Sequence, residues 1–136
     1  MLPQDVWIMR MKINVTAGLI AAATVLLPMP SSAQISGKYL AKQAIQECNH
    51  GRMAKERAAR LTHFQEGQAL AEQAVALDEQ YADAHFSLFC NLGEQLRIDG
   101  ESIKSAFGFR RMINELNRTL ELNPGHLDAL SAKGTL

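Results

Sequence analysis

Two stretches of the chain, VALDEQYADAHFSLF at 75–89 and LELNPGHLDALSAKG at 120–134, match without a gap. Leu77 falls on Leu122, Asp78 on Asn123, Asp83 on Asp128 and Ala84 on Ala129. The offset is about 45 residues, in the range of helical repeats. Each stretch ends one helical run, turns on polar residues and opens another. A repeated helical unit needs a neighbour to cover its apolar face, so this match narrows the fold to packed helices.

The spacing of apolar residues fills in the rest. Tyr39, Leu40, Ala44, Ile45 and Cys48 recur at helical intervals and predict a first helix over about 36–48, closed by Asn49 and Gly51 as a turn. A longer pattern from Arg52 to about Leu77 places Leu61, Phe64, Leu70, Ala71, Ala74 and Val75 inward. Gly67 lies mid-helix, where glycine is costly unless something packs closely against it. Ala82, Phe86, Phe89, Leu92 and Leu96 mark a third helix ending at Asp99 and Gly100. Ala106, Phe109, Ile113, Leu116 and Leu120 form the stripe of a fourth, over about 101–122, stopped by Asn123, Pro124 and Gly125. A fifth begins near Leu127. No segment alternates apolar and polar residues long enough for a strand, so residues 34–136 are expected to be all-α. The fifth helix reaches the end without a polar cap, the expectation for a fragment or truncated product with an incomplete last helix pair.

The 136 residues suit one small domain, and 14 basic side chains balance 14 acidic ones. Without a net field, neither nucleic acid nor an anionic membrane surface is an expected partner. Arg52, Lys55, Arg57 and Arg60 form the one basic cluster, diluted by Glu56 and read as a solvated helix face. Near the start, Lys12 precedes an apolar run at 13–27, two prolines and the small residues Ser31, Ser32 and Ala33. These are the parts of a secretory signal peptide over 1–33, with cleavage after Ala33 and Met11 as a second candidate start. The run is shorter than the roughly 20 residues a membrane span needs, and the alternative is an uncleaved anchor. Cys48 and Cys90 are too few for a disulfide scaffold and read first as two buried thiols. In an oxidising compartment they are a candidate bridge, because they fall on helices that would be neighbours in a stack.

Chemistry-bearing motifs are sparse. His50, His63, His85 and His126 stand singly, with no H-E-x-x-H and no E-x-x-H pair matched in another helix, so metal-ligand spacing is missing. Ser87 and Ser105 lack a nucleophile-elbow setting, and no glycine-rich phosphate loop occurs. Glu94, Asp99 and Glu101 cluster at a turn, where capping and solvation account for them. The expectation is a non-enzymatic protein with no cofactor and no metal.

The joins resemble those of the tetratricopeptide repeat family. At the second join Pro124 takes the place of the family's helix-ending proline, Leu116 and Thr119 the large and small packing positions, and Gly134 its glycine. At the first, Gly67 and Ala74 take the small positions and Leu88 the leucine, while Glu79 replaces proline, Phe89 replaces glycine and His85 stands where tryptophan is common. The likeness covers 61–134, with a period longer than the family's roughly 34 residues. It implies an α-solenoid fragment of antiparallel helix hairpins that binds protein or peptide partners on a concave face. It further implies a groove built from Asp83, Phe86, Ser87, Cys90 and Glu94 of the third helix, joined by Lys38 and Lys42 of the first. A plain four-helix bundle fits the same periodicity. The leading functional expectation is a periplasmic interaction scaffold. The alternatives are a secreted bundle with a small-ligand or enzymatic role, and a membrane-anchored structural spacer.

Overall fold

In a computed structural model, residues 36–100 and 103–136 are described, and they form α1 (Gly37–Met53), α2 (Arg57–Leu77), α3 (Ala82–Asp99), α4 (Ile103–Leu122) and α5 (Leu127–Gly134). There is no strand among the described residues, and none of their helices is long and apolar enough to cross a membrane. The expected signal segment, 1–33, lies outside them.

α1 starts where Ser36 Oγ accepts a hydrogen bond from the Tyr39 N–H at 3.2 Å, satisfying one of the open donors of the first turn. It does not stop at Cys48 as expected but runs on to Met53. The reason is packing. Gly51 gives up its side chain to make room for the Phe64 ring of α2, where a Cβ would overlap the ring, and it keeps helical dihedrals. The true break falls at residues 54–56, inside the basic cluster. That cluster is therefore not one solvated helix face: Arg52 ends α1, while Arg57 donates to the Ile98 carbonyl of α3 at 3.2 Å.

The two matched joins share one hydrogen-bond pattern. Asp78 Oδ1 accepts from the Gln80 N–H and Asn123 Oδ1 from the Gly125 N–H, each at 3.1 Å. The Tyr81 N–H returns to the Asp78 carbonyl and the His126 N–H to that of Asn123. Asp and Asn serve this turn equally because either side-chain oxygen can mimic a backbone acceptor. The sequence match is thus a match of structure, and proline is dispensable at the first join.

α1 packs on both α2 and α3, α3 lies against α2 and α4, and α4 and α5 meet through a small contact. Alanines carry the inner interfaces: Ala41, Ala44, Ala71, Ala74 and Ala84 are all buried, which lets the helix backbones approach closely. Against them pack Leu40, Leu88, Leu92 and Met112. At Gly67 the neighbour is a side chain, not a backbone. Asn91 fills the space a Cβ would take, and its Nδ2 donates to the Ala44 and Ser87 carbonyls, both at 2.9 Å.

Cys48 of α1 and Cys90 of α3 form a disulfide, with Cα atoms 6.3 Å apart, and Phe64 packs beside it. The reading as two unbridged thiols is corrected: direct contact between α1 and α3 brings the sulfurs together. Two other expectations change. Tyr39 is exposed, because the α1 stripe is carried by Leu40, Ala41, Ala44 and Cys48. On α4 the buried stripe is Met112, Leu116 and Thr119, while Phe109 is 52% exposed, because α4 is covered chiefly from the α3 side.

Candidate functional site

α1, α3 and the start of α5 together line a cleft of about 340 Å³. Lys38, Lys42 and Ile45 come from α1, Asp83 and Phe86 from α3, and His126 and Asp128 from the entry to α5. A second cleft of about 440 Å³ adjoins it, sharing Ile45, Phe86 and Asp128 and extending to Arg52, Phe89 and Arg97. A third, of about 280 Å³, continues past Arg52 and Arg97 toward Phe109. The shared walls make one groove with an apolar middle, basic groups toward both ends and carboxylates between.

Phe86 is the centre of that groove. It is half-buried, with its ring 4.7 Å from the His126 imidazole and 5.7 Å from the Phe89 ring. His126 caps α5, its Nδ1 accepting from the Ala129 N–H at 3.2 Å, and its Nε2 lies 3.2 Å from Asp83 Oδ1. Asp83 Oδ2 accepts from the Tyr81 hydroxyl at 2.7 Å. Asp83 therefore ties the start of α3 to α5 while remaining half exposed to the groove.

Of the seven expected groove residues, Lys38, Lys42, Asp83 and Phe86 come together in one cleft. Ser87, Cys90 and Glu94 do not join them as free groups. Ser87 is fully buried and donates to the Ala84 carbonyl at 2.7 Å. Cys90 is consumed by the disulfide. The buried Glu94 carboxylate accepts from Arg52 Nε at 2.7 Å and lines the third cleft. Ser87 is turned into the core, whereas Cys90 and Glu94 line the neighbouring clefts beside Phe89 and Arg97 but are already engaged there, by Cys48 and Arg52.

Comparison with protein-family models, curated proteins and solved structures gives no match. The site therefore rests on its own chemistry. Burial, followed by the bond to Asp83 and its charge, pushes the Tyr81 phenol up to about 12. Because the folded value lies above the unfolded value of about 10, the proton is held more tightly in the folded chain. The stability from this group is complete below the unfolded value and is lost as pH rises through about 12. In an alkaline titration followed by tyrosinate absorbance, one of the chain's two tyrosines should ionise late, near 12. Asp83→Asn should move that late step down.

Sequence reasoning missed several participants. Ile45 enters the sequence pattern only as a marker of the first helix, and His126 only as a solitary histidine. Its place at the N-cap of α5, at the equivalent of Tyr81, was the available signal. Glu47 and His50 form an unmatched E-x-x-H pair, and the structure brings the isolated His63 of α2 to it: His63 Nδ1 lies 2.7 Å from Glu47 Oε2.

Proposed function

We propose that residues 36–136 are a short stack of helix hairpins resembling the tetratricopeptide repeat. In this reading the α1–α3–α5 face holds an extended segment of a protein partner, without catalysis. The observation that carries this reading is the convergence of Lys38, Lys42, Asp83 and Phe86 on one cleft. The stacked arrangement is supported by the neighbour pattern: α1 lies against α2 and α3, with no comparable contact to α4 of the kind that closes a four-helix bundle. The common hydrogen-bond pattern at both joins supports it independently.

Lys38 and Arg52 stand 14 positions apart on α1, which at helical rise is about 21 Å. An extended peptide of about six residues spans that distance. Phe86, Ile45 and Phe89 offer an apolar seat for a central side chain, and the basic ends favour acidic flanks. Preorganisation provides the affinity: the disulfide and the Asp83 bonds hold the walls in place, so little ordering cost remains on the scaffold side. Export to the cell envelope, most specifically the periplasm, is part of the proposal. It is supported by the signal-like 1–33 segment and by a disulfide, which persists in oxidising compartments. Membrane association would come only through an uncleaved signal segment.

Peptide-library selection on the protein tests the reading. Selected peptides should share an apolar centre with acidic flanks, and Lys42→Glu, at an exposed position, should weaken them about tenfold. Phe86→Glu, with its fold checked by circular dichroism, should abolish binding. Peptides held equally by parent and both folded variants would refute the groove.

A further inference from the structure

We propose that Glu47, His50 and His63 form a binding site for a divalent transition-metal ion, with Zn²⁺ as the best-suited ion. Glu47 and His50 lie one turn apart on α1, and His63 reaches them from α2. One ligand atom from each lies within 4.8 Å of the others. Both imidazoles present Nδ1 to the same carboxylate: His63 Nδ1 is 2.7 Å from Oε2, and His50 Nδ1 is 3.7 Å from Oε1. The two rings meet edge to face with centroids 5.7 Å apart.

Two imidazole nitrogens and one carboxylate oxygen are a donor set that suits zinc, with a fourth position left for water or another ligand. To hold an ion, the Glu47–His63 pair must open to about 3.3 Å, the separation of two ligand atoms on a tetrahedral zinc, while His50 draws inward. In the metal-free protein, the Glu47 carboxylate and the His63 ring share a hydrogen bond through Nδ1. Binding replaces that bond. The neutral ring then carries its hydrogen on Nε2 and turns its Nδ1 lone pair to the ion. His50 is half exposed, which keeps the site open to solvent and to entry of the ion. Cys48, next to Glu47, is bonded to Cys90, so this stretch of α1 is anchored while His63 comes from a separate helix. The site lies outside the peptide groove, whose α1 residues are Lys38, Ala41, Lys42, Ile45, Asn49 and Arg52, and the inference does not depend on that groove.

Calorimetric titration of the full chain, without an added histidine tag, with ZnCl₂ at neutral pH tests it. The expected result is one ion per chain with a micromolar dissociation constant, weakened about tenfold or more by His63→Ala and by His50→Ala. Circular dichroism of each variant checks folding, and His50→Ala at its exposed position keeps the test open if His63→Ala unfolds. Co²⁺ in place of Zn²⁺ should give visible absorption of a four-coordinate site, lost in Glu47→Gln. An absence of saturable binding, or a folded His50→Ala variant that binds as the parent does, would overturn the site.

Discussion

Cys90→Ala lowers the free energy of unfolding by about 4 kcal/mol, the chain-entropy value for this cross-link, whose cysteines are 42 positions apart. The bond joins α1 to α3, and those two helices form opposite walls of the groove. Its loss leaves α1 held on α3 by helix packing and by the Asn91–Ala44 and Arg52–Glu94 hydrogen bonds. Urea denaturation of parent and variant, with and without reductant, checks the effect. The parent in reductant should fall to the level of the variant, and the variant should not respond to reductant at all. A difference below about 1 kcal/mol would mean that helix packing, not the cross-link, fixes α1 on α3.

Phe64→Ala is expected to cost about 3–5 kcal/mol, the range for removing a buried aromatic ring and leaving a cavity. Phe64 is fully buried, packs beside the disulfide and occupies the space left by Gly51. The pair is coupled. Gly51→Ala in the parent forces a methyl group into the ring, an overpacking cost of about 1–3 kcal/mol. In the Phe64→Ala background the same methyl group finds room, and the gain of roughly 1 kcal/mol in helix propensity is recovered. A double-mutant cycle by chemical denaturation should therefore show strong non-additivity. Additive costs would mean that Gly51 is there for some reason other than the ring.

Helix order and the two joins were legible in the sequence because both depend on local chemistry. Apolar spacing marks helices, and Asp78 and Asn123 carry the same turn from the same position in each repeat. What depended on contacts between helices was harder to read. Asn49 and Gly51 look like a turn, but a ring from residue 64 turns that glycine into a packing feature. Gly67 is explained only by Asn91, 24 positions away, whose amide has no signature in a linear pattern. Phe109 fits the period of the α4 stripe yet stays half exposed at the rim of a cleft, since a period gives relative angles and not how far the partner covers them.

The groove was legible in part for the same reason. Lys38, Lys42, Asp83 and Phe86 follow from which helix faces are open, and these four do line one cleft. Ser87, Cys90 and Glu94 are each occupied instead: by a backbone carbonyl, a disulfide and an arginine. His50 and His63 lie 13 positions apart with no spacing rule between them, and only the α1–α2 contact brings them to Glu47.

The groove is most directly tested by mapping chemical-shift changes on the isotope-labelled protein as a selected peptide is added. Binding on the α1–α3–α5 face predicts that the changes follow Lys38, Lys42, Asp83, Phe86 and His126 and saturate together with a single affinity. Changes centred instead on the outer faces of α2 and α4, with these five residues unmoved, would contradict the account.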